Sequence, residues 1–191
     1  MPDAPTSGLH HVAFRCRDAA QTHDFYTRVL GLRSAGALVI DGIPGSGHET
    51  PYMHLFFDTG RGNHVAFFDS PDDADKDWFE AKDSFDMHVA IEVEDAAALD
   101  ALRRRIQVAG VRVSPVLDHG FVSSIYLYDP NGVQVEFTVK AADHDAVLAA
   151  EEARLMETMR DWSERTRARK IALFGAEALD SRAGTLPPEQ A

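Results

Sequence analysis

The sequence predicts an α+β fold, two βαβββ modules curling into a cup-shaped half-open barrel and followed by a C-terminal helical extension. Three observations predict it. The segment His11 to Ala20, HVAFRCRDAA, recurs from His88 to Ala97 as HVAIEVEDAA, with the leading His and the Asp at the same offset. After each copy an apolar stripe at helical spacing leads into alternating segments broken by turn residues. Beyond Lys140 the pattern becomes helical only, in a stretch dense in Glu, Ala and Arg.

The elements follow in order. In each repeat, apolar residues alternate up to an aspartate, Asp18 or Asp95, placed to cap the next helix. Phe25, Tyr26, Val29 and Leu30 form the buried stripe of the first helix, which ends at Gly31. Leu99, Leu102 and Ile106 form that of the second, which ends near Gly110. Strand pairs are expected at Tyr52 to Phe57 with Asn63 to Phe68, and at Ser124 to Tyr128 with Val133 to Val139. Asp58-Thr59-Gly60 and Asp129-Pro130-Asn131-Gly132 supply their turns. A third strand is expected near Ala37 to Ile40 and near Arg112 to Val116. The alternation should bring the first strands of both modules together at the floor of the cup.

These elements divide the chain into module one (8–69), a linker (70–85) that packs only through Trp78 and Phe79, and module two (86–140). A helical extension (141–180) carries Leu148, Leu155, Met159 and Trp162 on one stripe, and a disordered tail is expected over 181–191. The stripe is expected to pack on the sheet or on a second subunit, so a homo-oligomer, a dimer first, is anticipated. Its basic run, Arg165, Arg167, Arg169 and Lys170, reads as a solvated helix end.

With 191 residues, 45% of them hydrophobic, the chain can bury one core and carry an appendage. A net charge of -12 repels phosphate backbones and anionic headgroups, which excludes nucleic acid and membrane surfaces and leaves small molecules as partners. The single cysteine, Cys16, lies in an apolar alternating segment and reads as a small buried hydrophobe. Neither a targeting segment nor an apolar run of membrane-spanning length is present, so a cytoplasmic protein is expected.

Strand parity separates chemistry from packing. His11, Ala13 and Arg15 share one face, as do His88, Ala90 and Glu92, while the apolar opposite face must meet the helices. His10 falls on the other parity and has Met87 as its counterpart, which makes it a partly buried structural residue. In the last strand Gln134, Glu136 and Thr138 face the cup, and a carboxylate there is costly unless paired or metal-bound. Two histidines and one carboxylate with open positions suit non-heme iron(II), so His11, His88 and Glu136 are the candidate metal ligands.

The run Leu9-His10-His11-Val12-Ala13-Phe14, with the helix end Phe25-Tyr26-x-x-Val29-Leu30-Gly31-Leu32, resembles the vicinal-oxygen-chelate superfamily. That superfamily contains glyoxalases, fosfomycin thiol transferases, CoA-ester epimerases and type I extradiol dioxygenases. The resemblance covers about Gly8 to Val139. A second motif resembles the extradiol signature: His119, five residues, Ile125-Tyr126, two residues, Asp129-Pro130-Asn131-Gly132, three residues, Glu136. Leu117 stands where that pattern has a small or β-branched residue.

The resemblance implies an iron(II)-dependent extradiol dioxygenase, with manganese(II) as the other metal, that opens the ring of a catechol-type substrate with O2. His119 and Tyr126 would hydrogen-bond the bound catecholate oxygen, and Glu136 would be the last metal ligand. His64 is the candidate acid/base for the oxygen proton, a role typically contributing roughly 10²–10⁴-fold. His54 and His48 are weaker candidates for it. Counting from the turn aspartates places His64 one position away from the counterpart of Glu136. Two other functions fit the same cup: a glyoxalase-like lyase or isomerase in which His64 binds zinc, nickel or cobalt, and a metal-free protein that sequesters an aromatic compound. An internal Arg15–Glu92 ion pair is expected, recognition of a substrate carboxylate being the other use for Arg15.

Overall fold

The computed structural model describes residues 6–42, 49–80, 87–181 and 184, so His48, the end of the linker and most of the tail lie outside the described residues. Two compact units divide the chain, residues 1–142 and 143–191.

The first unit contains both modules. Module one is β1 (His11–Cys16), α1 (Ala19–Asp24) continued by a wider π turn (Phe25–Val29), β2 (Arg33–Ile40), β3 (Tyr52–Gly60) and β4 (Asn63–Asp69). Module two is β5 (His88–Glu92), α2 (Ala96–Val108), β6 (Leu117–Asp118), β7 (Val122–Tyr128) and β8 (Gln134–Lys140). Each forms a four-stranded mixed sheet, in the orders β1-β4-β3-β2 and β5-β8-β7-β6. Both are open sheets in which the first strand is an edge, paired in parallel with the last. The predicted α+β architecture of two βαβββ modules is therefore present. The first strands, however, do not pair with each other: β1 and β5 lie at the edges of separate sheets.

Local chemistry explains the elements. The Asp18 and Asp95 carboxylates accept the backbone N–H of Gln21 and Ala98, three residues on, capping the two helices as their positions predicted. Gly31, at φ +83°, ends the first helical segment, and a Cβ there would press on the Arg105 guanidinium. That guanidinium donates to the carbonyls of Thr27, Arg28 and Val29 at 2.8–3.3 Å, so α2 of module two terminates the helix of module one.

Three local expectations are corrected. The first hairpin turns at Arg61-Gly62, both at positive φ, and β3 runs on through Gly60, past the turn expected at Asp58-Thr59-Gly60. Residues 112–116 do not form the third strand of module two, which shrinks to Leu117–Asp118. There the N–H of Tyr126 is taken by the Ser114 hydroxyl, and Pro115 has no N–H to offer. Finally, His10 is exposed, its Nδ1 2.7 Å from Nδ1 of His11 and its carbonyl accepting the His64 N–H.

The core is shared by the two modules. Tyr26, Phe57, Val65 and Phe67 from the first join Leu99, Ile106, Ile125 and Phe137 from the second, each at most 1% exposed. Burial of that extent stabilises by about 1.5–3 kcal/mol per large side chain. Polar groups fix the docking: the buried Asp129 carboxylate accepts from the Tyr26 hydroxyl, and Asn131 accepts the Arg17 N–H while donating to Thr22. The modules thus meet through their helices and the β7–β8 turn.

The second unit consists of α3 (His144–Phe174) and the short α4 (Ala176–Asp180), joined at Gly175. An Arg167–Asp180 ion pair at 3.0 Å links them, and Arg165 lies over the Trp162 ring. No described helix is long and apolar enough to cross a membrane.

Candidate metal centre and its hydrogen-bonded support

The β5–β8 register explains how module two builds its part of the site. Pairing sets Ala90 opposite Glu136, and β7 places Tyr126 opposite Glu136 from the other side. The small Ala90 side chain leaves room beside the carboxylate. Glu136 is 6% exposed, with Oε2 2.8 Å from Nε2 of His88 and Oε1 accepting from the Tyr126 hydroxyl at 3.0 Å. The Tyr126 oxygen is also 3.0 Å from Nε2 of His119. A phenol carries one proton, and donating it to Glu136 leaves its oxygen to accept from a protonated His119 Nε2. The result is a continuous line, His119 to Tyr126 to Glu136 to His88. Burial, with the Glu136 charge beside it, holds the Tyr126 hydroxyl above the usual phenol range, so it acts as a donor near neutral pH.

Module one presents a different set. His11 on β1 lies opposite His64 on β4, and its ring is 5.7 Å from both His54 and Phe56. His54 stacks on Phe68 with ring centres 3.8 Å apart. Burial, helped by His11 nearby, keeps the His54 imidazole below its ordinary value, and its Nε2 is buried without a hydrogen-bond partner. His64 Nδ1 is 3.4 Å from the His10 carbonyl.

The registers correct the position of His64. His11 pairs with His64 as His88 pairs with Gln134, so the counterpart of Glu136 is Ala66, two residues along the strand. A two-residue offset keeps His64 on the face of His11, whereas the one-residue offset would have turned it to the core.

Of the predicted residues, the structure brings together His88, Glu136, Tyr126 and His119, and separately His11, His54 and His64. It does not join the two groups: among the described residues no three His, Cys, Asp or Glu side chains are placed to hold one metal ion. The His88–Glu136 pair fits two positions of a divalent metal, an imidazole nitrogen and a carboxylate oxygen on one side. The third predicted donor, His11, belongs to the other sheet, because the modules dock through their helical faces. A cleft of about 680 Å³ runs between the modules, lined by Val12, Arg61, His64, Val89, Ile91 and Glu92. A second opening, about 540 Å³, borders Tyr126 where residues 111–115 stand in place of a full third strand.

The expected Arg15–Glu92 pair is absent. Glu92 lies 3.8 Å from Arg61 and 3.7 Å from Lys140, while the Arg15 guanidinium sits 4.9 Å above the Trp78 ring. Arg61 was missed because a turn residue at positive φ gives no signal of its direction. Trp78 was signalled by being aromatic in an acidic linker.

Comparison with known proteins agrees with this architecture. The family model described as Glyoxalase/Bleomycin resistance protein/Dioxygenase superfamily matches residues 8–137. Among solved structures, a glyoxylase/bleomycin resistance protein/dioxygenase domain from Frankia sp. EAN1pec superposes with a TM-score of 0.58 at 20% identity, covering 71% of this chain and 99% of that one. A glyoxalase/dioxygenase from Nostoc punctiforme gives 0.53 at 22% identity, over 74% and 97% of the two chains. The fosfomycin resistance protein FosX from Listeria monocytogenes, in a complex with Mn(II) and sulfate, gives 0.50 at 19% identity, over 74% and 98%. No curated protein matches the chain. With the family model spanning both modules, the chain belongs to the glyoxalase/bleomycin resistance protein/dioxygenase superfamily.

Proposed function

We propose that the protein is an extradiol dioxygenase that opens the ring of a catechol-type substrate with O2 and uses iron(II), manganese(II) being the other candidate metal. The observation that carries this reading is the line His119–Tyr126–Glu136–His88, whose hydrogen bonds join the residues of the dioxygenase-like motif in space. His88 and Glu136, with His11, would hold the metal, and the chemistry it supplies when bound is Lewis-acid binding of the vicinal diol and electron transfer between ring and O2.

The chain's own residues do the rest. Tyr126 fixes one Glu136 oxygen through its hydroxyl, which keeps the other oxygen directed toward His88. His119 supports Tyr126 at its Nε2 and is the residue we assign to meet a substrate hydroxyl. His64, on the face shared with His11, is the candidate to give or take the oxygen proton at an imidazole nitrogen. We read the active species as a homodimer, because a third donor is needed and the described residues of one chain bring only two into contact; a second copy can bring its exposed His11 face to this pair.

Oxygen uptake tests the reading. Anaerobically iron-loaded protein is expected to consume one O2 per catechol and to form a yellow ring-opened product, with His64→Gln keeping metal while turning over slowly. Isomerisation of a glutathione hemithioacetal without oxygen uptake would replace this reading with the glyoxalase one. A lack of both reactions, with catechol still bound to metal-free protein, would leave a sequestering role.

A further inference from the structure

Among the described residues, no carboxylate pairs with the Arg15 guanidinium. Its Nη1 is buried and lacks any hydrogen-bond partner, and Glu92, the carboxylate that strand symmetry offers, is engaged with Arg61 and Lys140. In a chain of net charge -12, with carboxylates in excess, an unpaired and partly desolvated cation is unexpected. Among the described residues, aromatic rings flank Arg15. Trp78 covers one face at 4.9 Å, and Arg15, Tyr52, Phe68 and Ser70 line a cavity of about 280 Å³. Phe68 lies opposite Arg15 in the β1–β4 register, with Tyr52 edge-on to it at 5.7 Å.

Ring contacts connect the lining of this cavity to the face proposed for substrate. His54 stacks on Phe68, and His54 in turn lies 5.7 Å from His11, so a row of rings leads from the candidate metal ligand to the unpaired cation. Arg15 follows His11 by four residues on the same strand face, roughly 13 Å between Cα atoms at ~3.3 Å per residue, less the reach of both side chains.

We infer that Arg15 is the anchor for the carboxylate of an aromatic acid, its planar fork taking both carboxylate oxygens while Phe68 and Tyr52 flank the apolar part. The inference rests on the reading of this face as the substrate face, and it adds the substrate class: an aryl-alkyl carboxylic acid in preference to an uncharged ring. Tyr52, Phe68 and Trp78 supply apolar contact that does not distinguish acid from amide. Arg15 supplies the discrimination.

The test needs neither metal nor oxygen. Trp162→Phe leaves Trp78 as the only tryptophan, since the chain has 2, and its fluorescence reports on the cavity beside Arg15. Metal-free protein is titrated with 3-phenylpropionate and with 3-phenylpropanamide, with calorimetry in parallel. The acid is expected to bind about 10–100-fold more tightly than the amide, as for a hydrogen-bonded ion pair shielded from water. Arg15→Gln should reduce the acid to the level of the amide, and Arg15→Lys should recover part of the difference. Equal binding of acid and amide, no saturable binding of the acid, or an Arg15→Gln variant that still prefers the acid would each overturn the inference. Should Arg15→Gln fail to fold, the acid-to-amide ratio in the otherwise unaltered protein still decides. Because the probes lack a diol, a failed ring-cleavage assay leaves this result standing, and a failed carboxylate preference leaves ring cleavage untouched.

Discussion

Tyr126→Phe removes one oxygen atom and leaves the ring, so it isolates the hydrogen bonds of the Tyr126 hydroxyl. In the native arrangement that hydroxyl donates to Oε1 of Glu136 at 3.0 Å, within a site where Glu136 is 6% exposed. A hydrogen bond to an ionised group contributes about 1.5–3 kcal/mol, and near-retention of shape avoids a cavity cost. Without it, the contact of Oε2 with His88 is what remains to Glu136 among the described residues, and the carboxylate must be ordered at the moment of metal binding. At about 1.4 kcal/mol per factor of ten, the dissociation constant for Mn(II) should rise roughly 10–100-fold, the size found for supporting residues around metal ligands. Calorimetric titration of metal-free protein with Mn(II) measures this directly. His119→Ala should have a smaller effect of the same sign, since it acts through Tyr126. The ring is retained, so any loss of thermal stability should stay within the ~1.5–3 kcal/mol of that one hydrogen bond. A Tyr126→Phe protein that binds Mn(II) with unaltered affinity would refute the claim that this hydroxyl positions a metal ligand.

Two further outcomes are expected. Neither His11→Ala nor Glu136→Gln should retain metal alone, but an equimolar mixture, unfolded and refolded together, should recover about a quarter of the native metal content if sites form between copies, since half the dimers are mixed and each has one intact site; metal analysis at the background of the single variants would show that each site is made within one chain. Cys16 is 1% exposed, and burial pushes its thiol from 9.0 up to about 12, so the folded state binds this proton more tightly than the unfolded one. The contribution of that protonated thiol to stability is full below pH 9 and declines as pH rises from 9 toward 12, by up to ~1.4 kcal/mol per unit. Urea unfolding of native protein and Cys16→Ala across that range checks it, an identical alkaline decline in both refuting the assignment.

Much of this architecture is legible because it is periodic. The repeated strand starts, the helix-capping Asp18 and Asp95, and the apolar stripes of both helices all follow from spacings of two and of three or four residues. The His119 to Glu136 spacing likewise became a contact, through two successive hydrogen bonds. What periodicity cannot carry is the docking of one module on the other. Parity says which face of β1 bears His11, yet says nothing of which edge or helix meets module two. That choice is made by aperiodic contacts: the Tyr26 hydroxyl on Asp129, Asn131 on Thr22, and the Arg105 guanidinium on the helix end at Val29. The same limit explains His64, because counting residues from Asp58 presumes equal turns, and the Arg61-Gly62 turn differs from the Asp129 turn.

The registers also show that the repeat preserves geometry while dividing the chemistry. By register, Glu136 corresponds to Ala66, Tyr126 to Phe56, Gln134 to His64, Ser124 to His54 and Glu92 to Arg15. In each case module two has an oxygen-bearing side chain, whereas module one has an imidazole, a cation, a hydrocarbon ring or a methyl group. On the proposed reading, module two would hold a metal by an oxygen donor and brace it, while these five positions give it little flat apolar surface with which to grip an aromatic ring. At these positions module one has the rings and the cation and lacks the carboxylate. On the proposed reading, a bound aromatic acid would be oriented before any reaction, with its diol toward the module-two oxygens and its carboxylate at Arg15. Exchanging Arg15 for its counterpart, as Arg15→Glu, should reverse that preference and favour an aryl-alkyl amine such as 3-phenylpropylamine over the acid. Unchanged selectivity between these two probes would show that orientation is determined elsewhere.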